Sequence, residues 1–177
     1  MTLLTIDPGT FESAYVIYQT LTKQILSSGK ISNAALIEII STSKVEHLVI
    51  EQIKSYGMPV GDSTITTCVW IGIFIKAWHD QAKWPLNDLN DLDQARCTLL
   101  PRKTIVGQIC ANARANDANI RAALIDLFGG KANAIGNKKQ KGELYHVHKD
   151  VWSALAIAVA FSQIQDAEHK ALEGMLT

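Results

Sequence analysis

A short apolar run, Leu3-Leu4-Thr5-Ile6, ends in a carboxylate, Asp7, and is cut off by Pro8-Gly9. β-prone apolar residues followed by Pro-Gly define a buried strand over 2–7 and its exit turn. A charge at the tip of a core strand costs free energy unless it is paired or holds a cation. On its own, Asp7 reads equally well as a turn residue that caps its own backbone. The choice depends on whether the chain brings further acids to the same edge.

Residues 13–19 and 24–29 read as two more strands, joined by a short polar link that suits an antiparallel hairpin. Apolar spacing over 33–40 suits a short helix. The run 46–50 reads as a strand buried on both faces, and Glu51 follows it directly. A turn-rich loop over 55–61 leads to Asp62 or Ser63, either of which can cap a helix running to about residue 80. That helix carries Val69, Ile73 and Ala77 on one side and Trp70, Phe74 and Trp78 on another, so it is expected between two layers. Residues 81–93 read as a polar surface loop and 96–100 as a fifth strand, which Pro101 stops while opening a helix to about residue 111. Asn116 or Asp117 caps the next helix, and Gly129-Gly130 end it. Residues 131–142 hold four lysines and no acid and read as a mobile basic loop. A short extended lead-in, 145–148, precedes a last helix over 151–165, whose alternating alanines permit close packing against a sheet. A polar tail, 166–177, is expected to fray.

The chain has 177 residues, 47% of them apolar, which is enough for one domain (1–165) with a substantial core. Its 17 basic and 17 acidic residues cancel, so overall charge does not point to nucleic acid and any basic surface must be local. Cys68, Cys97 and Cys110 form no CxxC pair, which suggests neither a disulfide framework nor a zinc site. Buried reduced thiols and a cytoplasmic location are the expectation. The chain opens with no basic n-region, and its longest apolar run, 154–161, is too short to span a bilayer.

Three meandering strands followed by helix, strand, helix, strand and further helices describe an α/β domain with a mixed sheet. The first strand would be central. Asp7 and Glu51 would then end neighbouring parallel strands at one edge, within a few ångströms of each other. Like charges that close raise a pKa or demand a counter-cation. Asp150, at the start of the last helix, could join them or act as an ordinary N-cap. Clustered carboxylates are hard ligands that suit Mg²⁺ or Mn²⁺. His146 and His148 have the spacing of one strand face, but no third ligand lies nearby, so they read as surface histidines.

Thr5-Ile6-Asp7-Pro8-Gly9-Thr10, Val49-Ile50-Glu51-Gln52-Ile53, Arg102-Lys103-Thr104-Ile105-Val106-Gly107 and Asp150-Val151-Trp152-Ser153-Ala154-Leu155-Ala156 resemble, in order and spacing, motifs of the RuvC-type Holliday-junction resolvases. These belong to the ribonuclease H-like nuclease superfamily. The loop 56–61 and Asn119-Ile120-Arg121 look more like a phage and prophage branch. The resemblance implies a five-stranded mixed sheet flanked by helices. It also implies a homodimer that cuts four-way DNA junctions with Mg²⁺ and leaves a 5′ phosphate. Asp7 would bridge two metal ions, Glu51 would bind one, and Asp150 would complete the site. Arg102 and Lys103 align with a basic position near the scissile phosphate. Lys54 and Tyr56 follow Glu51 in a loop near the junction centre, where the tyrosine either stacks on a base or packs the loop down. Lys138, Lys139 and Lys141 either contact phosphates or form a solvated loop. Where the family carries a fourth acid, this chain has Ser153; three acids plus waters are expected to serve, with His148 and Asp62 as nearby substitutes.

Three rivals stand beside this reading. Asp-Pro-Gly-Thr after a strand resembles the first phosphate loop of actin-like and sugar-kinase folds, but those need two such domains. A non-catalytic DNA-binding member of the same fold is suggested by Ser153. The third rival is a superfamily nuclease acting on RNA–DNA hybrids or flaps.

Overall fold

A computed structural model describes residues 1–55, 57, 59–82, 92 and 95–175. The chain forms β1 (Thr2–Asp7), β2 (Glu12–Gln19), β3 (Gln24–Ser32), α1 (Asn33–Thr42), β4 (His47–Gln52) and α2 (Asp62–Ala82). These are followed by β5 (Cys97–Pro101), α3 (Arg102–Cys110), α4 (Asp117–Leu127), α5 (Gly130–Ala134) and α6 (Val151–Met175). The strands make one mixed sheet in the order β3-β2-β1-β4-β5, with β1 in the middle as expected. β1 to β3 are antiparallel neighbours, and β1, β4 and β5 run parallel.

Alternation along the strands divides the core into two layers. Leu4 and Ile6 of β1 and Leu48 and Ile50 of β4 pack against Leu36 and Ile40 of α1 and Phe74 and Trp78 of α2. Leu3 of β1, Val16 and Tyr18 of β2 and Val49 of β4 face the other way, onto the alanine-rich start of α6. On that face the buried Thr5 hydroxyl donates to the Ala154 carbonyl at 2.8 Å, which pins the first turn of α6 over β1. The alternating alanines let the helix backbone come close enough for this bond.

Several expectations are corrected. Glu51 lies within β4 rather than after it. β3 extends to Ser32, beyond the expected end at residue 29, because its ladder with β2 continues through Lys30 and Ile31. The sheet does not enclose α2 on both sides: Ile65, Val69 and Ile73 remain exposed along its outer face. The stretch expected as a mobile basic loop is ordered locally. It holds α5, a bridge between Gly136 and Lys141, and a turn in which the Asn137 side chain accepts from the Lys139 and Gln140 amides. Residues 145–148 form no strand: a turn over 143–146 takes their start, closed by Tyr145 N–H to the Gly142 carbonyl and Val147 N–H to the Leu144 carbonyl. α6 continues to Met175, so the described part of the tail, through that residue, is an exposed helical extension.

Candidate active site

The site is built by strand register. Ile6 pairs with Ile50 in the parallel ladder of β1 and β4, so Asp7 and Glu51 follow side by side on one face. Adjacent strands lie about 4.8 Å apart, which places the two carboxylates together. On the other side of β1, Asp7 pairs with Ala14, and Ala14 pairs with Lys30. One cross-strand row therefore reads Lys30, Ala14, Asp7, Glu51 across four strands.

A buried polar network holds the turn after Asp7. Gly9 N–H donates to the Ser13 hydroxyl at 3.1 Å, and that hydroxyl donates to Asn33 Oδ1 at 2.7 Å. The Asn33 amide returns to the Gly9 carbonyl at 3.0 Å. Glycine is required at position 9 because a Cβ there would stand 2.2 Å from the Glu12 carbonyl oxygen.

α6 brings the remaining groups. Ser153, in its first turn, lies beside Asp7 and favours its charged form. Asp150, just before the helix, meets Lys30 with Nζ to Oδ2 at 2.6 Å. Its carbonyl accepts from the Ser153 and Ala154 amides. Asp150 thus joins the edge rather than remaining a cap alone. The residue before it, Lys149, is held at φ +48°, a left-handed conformation that turns the chain sharply into the helix.

Electrostatics mark Asp7 as the centre. Burial, then repulsion from Glu51 and Asp150, pushes its carboxyl up from 3.8 to about 7, against the opposing pull of Arg102 and the Ser153 hydrogen bond. Glu51, 7% exposed, is likewise raised by burial, while Arg102 pulls it back. Arg102 Nη1 lies 3.7 Å from Glu51, and its other nitrogen binds Asp117. Arg102 therefore stands at the acidic edge, engaged with carboxylates. Lys30 is held above its ordinary range by Asp150.

Two cavities flank these groups. One of about 260 Å³ lies over Ala14 and is lined by Asp7, Lys30 and Asp150 together with the turn 8–12. The other, of about 690 Å³, lies between α4 and the start of α6 and includes Arg121, His148, Asp150, Trp152 and Ser153. The Arg121 guanidinium lies 5.1 Å from the Trp152 ring centroid.

The expected basic residues are not all gathered here. Lys54 and Lys103 are exposed, near Glu51 and Arg102 in sequence. Tyr56 lies outside the described residues. Lys138, Lys139 and Lys141 sit in the turn before Glu143, whose carboxylate takes the Ile25 N–H at 2.5 Å. Ile25 pairs with Tyr18 and Tyr18 with Leu3, at the end of the sheet opposite Asp7. Lys30 lies just beyond the expected strand end at residue 29, within the three further residues by which β3 continues to Ser32; the apolar Ile31 is the sequence signal for that extension.

The donor set fits a hard divalent cation: the Asp7 and Glu51 carboxylates stand side by side, and burial raises the pKa of both, joined at Asp7 by repulsion from its acidic neighbours. It is a lean set. Among the described residues, no group of three or more His, Cys, Asp or Glu side chains is arranged to hold a metal ion.

A mixed five-stranded sheet with paired acids at the ends of β1 and β4 and a helix opening over them defines a RuvC-like α/β fold. The chain is similar to the Thermus thermophilus RuvC structure, with a TM-score of 0.61 at 13% identity over 90% of this chain and 92% of that one. It is similar to T. thermophilus RuvC in complex with Holliday junction substrate at a TM-score of 0.60, with the same identity and coverage. No family model and no curated protein matches the sequence. Among the described residues, no helix is long and apolar enough to cross a membrane.

Proposed function

We propose that this chain is a structure-selective endodeoxyribonuclease that uses Mg²⁺ or Mn²⁺ to cut branched DNA, four-way junctions first among them. The observation that carries the reading is the Asp7–Glu51 pair, set side by side by parallel register beneath Asp150 and Ser153 on a RuvC-like fold. A divalent ion held by Asp7 and Glu51, with Asp150 alongside, would polarise the phosphodiester and make a bound water nucleophilic. The chain's own residues prepare that site. Ser153 orients Asp7 and favours its charged form, and Arg102 does the same for Glu51. The Asn33–Ser13–Gly9 network keeps the β1 turn folded away, so the carboxylate edge stays open to a phosphate.

A homodimer belongs to the same proposal. Ile65, Val69 and Ile73 recur every four residues along the outer face of α2 and stand 52%, 56% and 37% exposed. An apolar helical stripe of that kind suits a second copy of the helix. A phage or prophage origin fits the 56–61 and 119–124 segments. The lysine turn and Lys54 would contact phosphates away from the cut, which makes binding salt-sensitive.

A non-catalytic DNA-binding protein is the second reading, favoured by Ser153 at the place of a fourth acid and by the engagement of Asp150 with Lys30. One experiment separates the two. Purified protein is offered a synthetic four-way junction, a linear duplex and an RNA–DNA hybrid with Mg²⁺ or Mn²⁺. Cutting of the junction in symmetric strand pairs, with Asp7→Asn binding but not cutting, is the expected result. Equal cutting of all three substrates removes junction selectivity, and binding without cutting under either ion establishes the second reading.

A further inference from the structure

We propose that Lys30 is a built-in cation of the acidic site: its ammonium stands where a second divalent ion would be held, so each chain binds one divalent ion, at Asp7 and Glu51. This rests on the metal-dependent reading above and deepens it. The argument begins with register. Lys30 is placed on the α6-facing side of β3 by its pairing with Ala14, which pairs with Asp7. Ala14 contributes only a methyl group between the lysine and the aspartate. The cavity of about 260 Å³ lies there, with Asp7, Lys30 and Asp150 in its wall.

The charges around Lys30 point the same way. Asp150, the acid that would complete a second position, already has the Lys30 ammonium 2.6 Å from Oδ2. Ser153, beside Asp7, offers a neutral hydroxyl and adds no charge. A second dication at this end of the row would have to displace the lysine, whose ammonium already stands among Asp150, Glu12 and Asp7. An ammonium delivers one positive charge without needing six ligands. With a phosphate in the cavity, Lys30 can donate to a non-bridging or leaving oxygen, while the ion at Asp7 and Glu51 serves the other side.

Mn²⁺ electron paramagnetic resonance tests this directly, because an isolated ion gives a six-line spectrum whereas two ions sharing a carboxylate give an exchange-coupled one. Wild-type protein, Lys30→Met, Lys30→Arg and Asp7→Asn are titrated with Mn²⁺, and bound ion is counted from the loss of the free-ion signal. Circular dichroism checks that each variant is folded, and Lys30→Gln replaces Lys30→Met if that variant is not. The expected result is one six-line ion per chain in wild type and Lys30→Arg, two coupled ions in Lys30→Met, and loss of the bound ion in Asp7→Asn. Two coupled ions in wild type overturn the role of Lys30 and leave the metal reading intact. A single ion in folded Lys30→Met also overturns it. Binding that Asp7→Asn does not alter overturns the metal site itself.

Discussion

Asp7 and Lys30 stand in one cross-strand row of the sheet, and the residue between them is Ala14. That small side chain is what leaves a cavity at the acidic edge. Ala14→Val puts two extra carbons into it. Overpacking of a buried position costs roughly 1–3 kcal/mol, so the variant should remain folded with a lowered melting point. Junction cleavage should fall at least tenfold while junction affinity changes by less than threefold. Gel-shift binding and single-turnover cleavage on one preparation measure the two; equal losses in both would mean that the cavity serves general DNA contact instead.

Protonation of Asp7 links the site to stability. In the folded chain its carboxyl is raised to about 7, against 3.8 ordinarily. Between those values the folded state holds the extra proton, so the stability of metal-free protein falls as pH rises. Asp7→Asn removes this contribution. At pH 8, in a chelator, it should be more stable than wild type by on the order of 2 kcal/mol, less than full linkage because the carboxylate is partly solvated. The gap should close by about pH 4. Urea denaturation across that range is the measurement, and added Mg²⁺ should narrow the gap at pH 8 by stabilising wild type alone.

The Pro8-Gly9 turn tolerates no side chain at its second residue. A Cβ on residue 9 would meet the Glu12 carbonyl oxygen at 2.2 Å, and the same turn is tied to Asn33 and Ser13. Gly9→Ala should therefore cost about 2–4 kcal/mol, well above an ordinary surface change. It should also reduce cleavage more than junction binding, because Asp7 sits two residues away. Denaturant midpoints and cleavage rates of the folded fraction report the two effects.

The outer stripe of α2 gives a further expectation. Val69→Glu places a charge at the centre of Ile65, Val69 and Ile73. Wild type should sediment as a dimer at micromolar concentration and the variant as a folded monomer. Paired symmetric nicking of a junction should then decay into single, uncorrelated nicks. A wild type that sediments as a monomer on and off DNA would remove the dimer from the proposal.

Local chemistry made much of this legible from the chain. Pro8-Gly9 marked the end of β1, Pro101 separated β5 from α3, and Asn116 capped α4, where it forms a reciprocal capping box with Asn119. Asp7 and Glu51 stood out because each closes a buried apolar run. These signals depend on residues within a turn or two of one another. The lysines at 138, 139 and 141 were legible as a basic cluster, but their place at the far end of the sheet depends on Glu143 reaching the Ile25 amide across 118 positions of sequence.

Sequence by itself determined the order of the strands, the centrality of β1 and the acids at its edge, because periodicity and turn chemistry act over short distances. Tertiary structure alone decided that Lys30 belongs to the site, that Ser153 lies beside Asp7, and that α2 keeps one apolar face open. Each of these follows from register between strands or from how one layer lies on another. A single change of register would turn Lys30 to the opposite face, and nothing in the residues around it states which face that is.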